Sequence, residues 1–252
     1  MAKQAGIIKL KGTIGGVSFY KSQDGYLARE KGGVEKERIM TDPAFQRTRE
    51  NGAEFGVAGK AVKLTTSAFR PVLLNAADGR VGSRLIQRMV KVLQADTVNA
   101  RGARTVAGGD PTLLKGFEFN SRSTLGGTMY VPLTKAVDRV TGEVEVSVPS
   151  FVPVNSIVAP SGTTHFKIAV MAAHIDFATE EFVHDVKETA LTPYNNVATA
   201  ISTLTCTLNP NVTMPLFIGI AVQFFQEINT VSYPLKNGSY NAVALTDVDV
   251  VP

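Results

Sequence analysis

Tryptophan is absent, cysteine occurs once and histidine three times in 252 residues. A single cysteine, Cys206, excludes an internal disulfide and any cysteine-rich zinc site. His165, His174 and His184 stand nine and ten residues apart, which is not ligand spacing, so polar surface or core positions are expected of them. Long apolar runs are also missing. The longest, Leu216 to Val222, has the length of a strand and ends at Gln223, well short of the roughly 18 apolar residues that a spanning helix needs. The opening MAKQAGIIKLKG holds no apolar run of signal-peptide length. The expectation is therefore a chain without a membrane span, cytoplasmic as synthesised, with its final location open.

Chemistry-bearing patterns are equally sparse. Gly12-x-x-Gly15-Gly16 lacks the GK[ST] of a phosphate loop and reads as a hairpin turn. Ser18, Ser22 and Cys206 have no base at a helpful spacing. Glu180-Glu181 and Asp247/Asp249 offer carboxylates for Ca²⁺, but a solvated loop and a charged strand face account for them better. Asn211-Val212-Thr213 matches a glycosylation acceptor, which has meaning only in a secreted chain. No catalytic residue, metal site or cofactor is expected, and the chain does not read as an enzyme.

What is present is an uneven charge. Residues 1–127 hold 21 Lys and Arg against 11 Asp and Glu, a net +10; residues 128–252 hold 5 against 11, a net −6. Composition shifts at the same place, from Gly- and Arg-rich to rich in Val, Thr, Ala and Pro. A small, polar joint at Ser121–Gly127 suggests two domains, 1–127 and 128–252.

The N-terminal stretch GIIKLKGTIGGVSFYKSQDGYLAREK reads as three strands, about Ile7–Thr13, Val17–Lys21 and Tyr26–Lys31, turned at Gly15-Gly16 and Asp24-Gly25. Val17 and Phe19 fall on one face, Ser18 and Tyr20 on the other. Residues 34–41 read as a connector, and Thr41-Asp42-Pro43 as a helix start. Gly52, Gly56 and Gly59 in that helix allow either a close backbone approach or a break. Further helices are expected at about Thr66–Ala76 and Gly79–Asp96. The second carries an apolar stripe of Val81, Leu85, Met89, Val92 and Leu93 that could cover the meander. Residues 97–116 read as a loop with a short helix after Asp110-Pro111, and Phe117 and Phe119 as a short strand or the start of the second domain.

From Thr128 the signal is all-β. Seven strands are expected: Thr128–Thr134, Glu143–Val148, Thr164–Ala173, Glu181–Glu188, Ala198–Leu208, Leu216–Glu227 and Tyr240–Val250. Turn-forming residues separate them, Lys236-Asn237-Gly238 among these. The fold class so read is an α+β N-terminal domain, an antiparallel β-meander plus helices, followed by an all-β immunoglobulin- or fibronectin-like sandwich.

The run GIIKLKGTIGGVSFYKSQDGYLAREKGGV, with the later DPAFQRTRENGAEFG, resembles a set of two-domain bacterial proteins found chiefly in Bacteroidota, for which no activity is known. The resemblance spans about residues 5–105 and implies the two-part layout, but no site residues.

The basic half carries what functional weight there is. Ile7, Ile8, Lys9, Leu10, Lys11, Phe19, Tyr20 and Tyr26 form a candidate assembly surface, and Arg47, Arg49, Arg80, Arg84 and Arg88 a basic face. Basic and acidic halves on one molecule favour head-to-tail contacts between copies, which give rings or filaments. The expected role is a structural protein that self-assembles into a homopolymer, a filament, tube or virion-like particle, with copies of itself as partner. The alternative is nucleic-acid binding by the basic half, with Phe19, Tyr20 and Tyr26 stacking on bases.

Overall fold

The two longest strands set the architecture. In a computed structural model, which describes residues 1–30, 32–76, 78–235 and 240–251, both are buried on both faces along most of their length. Such strands need a layer on each side. The chain divides into two compact units, residues 1–49 and 50–252.

The first unit contains β1 (Ala2–Lys3), β2 (Gly12–Ile14), β3 (Val17–Ser22) and β4 (Gly25–Glu30). They form one antiparallel sheet in the order β1-β4-β3-β2. Helix α1 (Lys36–Thr41) occupies the stretch expected to be a connector. Asp42 then accepts from the Ala44 N–H and caps a 3₁₀ turn at Pro43–Phe45, leading into α2 (Gln46–Ala68). The three glycines of α2 do not break it, and a Cβ at any of them would meet nothing within 4 Å. Its continuity follows from the good helix formers between the glycines.

The second unit continues with α3 (Arg70–Leu73), α4 (Val81–Gln94), a 3₁₀ turn at Pro111–Leu114 and β5 (Phe117–Glu118). Next come α5 (Leu125–Thr128), β6 (Thr134–Asp138), β7 (Glu143–Val148) and α6 (Pro153–Ser156). The remaining strands are β8 (His165–Asp176), β9 (Glu181–Glu188), β10 (Thr192–Pro193), β11 (Ser202–Thr207), β12 (Leu216–Ile228), β13 (Val231–Pro234) and β14 (Ala242–Asp249). The unit is mostly β with some helix. A seven-stranded sheet runs β10-β8-β12-β14-β5, with β9 on β8 and β13 on β12, and a three-stranded sheet runs β11-β7-β6. Every pairing is antiparallel.

Period-2 alternation sorts β8 and β12 between two cores. Ala169, Met171, Ala173, Ile175, Phe217 and Ala221 join a core with Phe69, Leu85, Met89, Val92 and Leu93 of the helical layer. Ile168, Val170, Ala172, Ile218, Ile220 and Val222 join a second core with Val144, Val146, Val148, Leu204 and Cys206 of the small sheet. Gly219 sits at a register shift in β12, where a Cβ would lie 2.5 Å from the Phe69 ring. Only hydrogen fits there.

These layers correct several expectations. The compact units divide at 49/50, and helices α2 to α4 and strand β5 share a core with the large sheet. The α4 stripe is spent on that sheet. The expected strand Thr128–Thr134 is instead the end of α5, an isolated bridge from Met129 to Ile157, and the first residue of β6. Thr124 caps this turn by accepting from the Gly127 N–H. The Gly-rich stretch 97–116 is a loop fixed from both sides. Asp96 accepts from the N–H groups of Val98, Asn99 and Thr105, and buried Glu54 accepts from Gly102 N–H at 2.9 Å. The expected turn Lys236-Asn237-Gly238, and Lys31 at the end of the third expected strand, lie outside the described residues.

Candidate assembly surface

The meander is built by two tight turns. Ile14 pairs with Val17 across Gly15-Gly16, and Gly15 takes φ 56°, which the first position of a II′ turn requires. Ser22 pairs with Gly25, so the second turn is Gln23-Asp24, one residue earlier than expected. Gly25 opens β4 at φ 109°, and the Ser22 hydroxyl accepts from Asp24 N–H, which explains the displaced turn. Register then fixes the faces. Ile14, Val17, Phe19, Tyr26 and Ala28 share one; Thr13, Ser18, Tyr20, Leu27 and Arg29 share the other. Each face carries a cation against an aromatic ring: Lys21 lies 5.6 Å from the Tyr26 centroid, and Arg29 lies 5.4 Å from Tyr20.

No described residue of 1–49 is buried. Phe19, Tyr20 and Tyr26 are half-buried, whereas Ile14 is 60% exposed. Ile7 and Ile8 are fully or largely exposed, and Leu10 projects beside them. These three lie in a loop, not in the expected strand Ile7–Thr13, of which only Gly12 and Thr13 pair, as the first two residues of β2. Gln4 is the reason. Its backbone N–H donates to Tyr26 O, its side-chain amide donates to Leu27 O and Leu10 O, and its Oε1 accepts from Leu10 N–H at 2.8 Å. The backbone groups Leu10 would offer to a ladder are taken by one side chain. Lys9 Nζ donates back to Gln4 O, while Lys11 stays exposed.

The five arginines expected on one basic face are not equivalent. Arg49 donates to Ile39 O and Asp42 O and so fastens α1 to the start of α2. Arg84 donates to Glu118 O at 2.6 Å, Phe119 O and Asp78, and lies over the Phe117 ring. Arg80 and Arg88 are exposed on α4 and its flank. Arg47 lies at the start of α2, also exposed. Arg101 and Arg104 pair with Glu50 and Glu54 at 3.7 Å. Divided at 49/50, the charge also reads differently: residues 1–49 hold ten Lys and Arg against five Asp and Glu, and residues 50–252 hold 16 against 17.

The other candidates resolve into packing and ion pairs. Cys206 is fully buried beside Val170 O, and burial pushes its thiol up to about 11, so it carries little thiolate. His174 is buried, which lowers its pKa. His184 stacks on Phe182, and His165 lies 3.7 Å from Glu227. Asp247 pairs with Lys115 and Lys135, and Asp249 with Arg139. Glu180 pairs with Lys60. Among the described residues, no group of three or more His, Cys, Asp or Glu is placed to hold a metal ion. No described helix is long and apolar enough to cross a membrane. Sequence reasoning passed over Gln4 because a lone glutamine before two isoleucines carries no turn signal.

No protein-family model matches the chain. No curated protein matches it either. Among solved structures, it is similar to a chain from work on pH-induced modulation of Streptococcus parasanguinis adhesion by Fap1 fimbriae. Identity is 11%, over 55% of this chain and 92% of that one, with a TM-score of 0.25, too low to bear on fold or function.

Proposed function

We propose that this is a structural, self-assembling protein whose N-terminal unit joins copies into a homopolymer, a filament, tube or virion-like particle. The observation that carries the reading is a four-stranded sheet with no buried residue and adjacent exposed isoleucines. A small meander without a covered face is marginal in water, and exposed apolar residues beside short open edges suit a second protein surface. The electrostatic part of the proposal is smaller than the sequence suggested, since residues 50–252 are nearly neutral. We further read residues 134–249 as an immunoglobulin- or fibronectin-like sandwich. In its support, the first, second and fifth long strands (β6, β7, β11) share one sheet, and the third, fourth, sixth and seventh (β8, β9, β12, β14) share the other.

Size-exclusion chromatography with light scattering tests the assembly reading. Polymers are expected from the full chain, and deletion of residues 1–14 is expected to leave residues 50–252 folded and monomeric. A strict monomer at every concentration contradicts the reading.

A further inference from the structure

A second feature lies on the outer side of α4, where it runs beside β5. A cavity of about 320 Å³ is lined there by Arg84, Gln87, Arg88, Lys91, Phe117 and Glu118. Four of these recur along the helix at intervals of three, one and three residues, the spacing that stacks side chains on one helical face. Three cations therefore meet one carboxylate in a single concavity.

The cations differ in how they are held. Arg84 is fixed before any ligand arrives, by Asp78, by the carbonyls of Glu118 and Phe119, and by the Phe117 ring beneath it. Among the described residues its Nε–H has no hydrogen-bond partner. The side chains of Arg88 and Lys91 are exposed and make no hydrogen bond or ion pair within the described residues. The lone carboxylate is already engaged: Glu118 is half-buried and both its oxygens accept from Leu125 N–H, at 3.2 and 3.0 Å. A rigid guanidinium beside two unspent cations is an anion cradle with little ordering left to do.

We propose that this groove binds a phosphoryl group, with Arg88 and Lys91 as its direct contacts and Arg84 as a fixed positive wall. Asp78 and Glu118 offset two of the three cations, and the positive charge that remains is carried by Arg88 and Lys91; an arginine fork fits phosphate oxygens in pairs. Two sources share this chemistry: a free or nucleotide phosphate, and the phosphodiester backbone of a nucleic acid. The inference is independent of the assembly reading, since it concerns residues 78–125 and is read by binding, not by size.

Calorimetry with inorganic phosphate and anisotropy with a labelled single-stranded oligonucleotide, both on the full chain at about 50 mM salt, test it. Binding of either probe is expected. Binding of phosphate identifies a small-anion site; binding of the oligonucleotide alone identifies a backbone groove. The double variant Arg88→Glu/Lys91→Glu, at two exposed positions, is expected to keep its thermal melt and lose about tenfold or more in affinity. For the oligonucleotide, the slope of log affinity on log salt is expected to fall by about 1.5, the share of two phosphate contacts. Glu118→Gln keeps an acceptor for Leu125 and removes the opposing charge, so tighter binding is expected. No binding of either probe, wild-type affinity in the double variant, or weaker binding by Glu118→Gln overturns the proposal.

Discussion

The two units solve the problem of burying a sheet in opposite ways. In residues 50–252 a large sheet is covered on both faces, by helices on one side and by a smaller sheet on the other. In residues 1–49 a four-stranded sheet has no buried residue at all. Each fully buried Leu, Phe or Met contributes about 1.5–3 kcal/mol. Residues 50–252 have many, and the described residues of 1–49 have none. On the proposed reading, the larger unit therefore holds its shape from within and the smaller one relies on a covering surface. Both contain hairpins with sound turn chemistry. Turns set register; only a covering layer sets stability.

The sharpest way to break this contrast is to delete one aromatic ring from each unit. Phe69 is fully buried, stacks on Phe119 at 5.5 Å and rests against Gly219. Phe69→Ala is expected to cost about 3–5 kcal/mol in urea unfolding of the large unit. Phe19→Ala is expected to leave that transition within about 0.5 kcal/mol and act on assembly instead. A smaller effect comes from filling space that the packing does not have. Gly219→Ala places a Cβ 2.5 Å from the Phe69 ring, and an overpacking cost of about 1–3 kcal/mol is expected by the same assay.

Acid sharpens the comparison further. Burial alone would raise the Asp78 pKa, but hydrogen bonds from Ser121 N–H and Oγ–H and from Arg80 N–H, with the Arg84 charge, hold it at about 2. A carboxyl held below its ordinary 3.8 lends stability that is complete above about pH 4 and lost as pH falls through about 2. Melting temperature measured across that window is expected to fall, and Asp78→Asn to lower stability at neutral pH and flatten the fall. The smallest effect is expected at Lys60→Ala. Its 2.9 Å pair with Glu180 is exposed on both sides, and a change below about 0.5 kcal/mol is expected in the same melt.

The strands Glu143–Val148 and Glu181–Glu188 were located to the residue, the first because the alternation of Val144, Val146 and Val148 is visible when one face is polar. The α4 stripe was equally plain. What it packs against was not, since an apolar helix face names no partner, and the choice between meander and C-terminal sheet is made by tertiary topology. The charge count at residue 127 marked a change in composition; one core draws on both sides of it, and the buried residues of the other run from Met129 to Phe224. Strand β5 is only two residues long, yet Phe117 and Phe119 tie the helical layer into the sheet through β14. At the candidate surface, the faces of Val17 and Phe19 were readable from alternation, whereas the loop at 7–10 was not. It hangs on Gln4, whose amide mimics a neighbouring strand. The distribution of Arg49, Arg84 and Arg88 among clamp, wall and free cation depends on which carbonyl ends lie within reach, and a sequence does not carry that.

The central claim is that the N-terminal sheet is stable only when another molecule covers it. Hydrogen exchange followed by mass spectrometry at low and high protein concentration reads this directly. The account predicts that amides of Val17–Ser22 and Gly25–Glu30 exchange almost freely in the dilute monomer and become protected as copies associate. Those of His165–Asp176 and Leu216–Ile228 are predicted to stay protected throughout. Strong, concentration-independent protection of the meander in a monomer would contradict it.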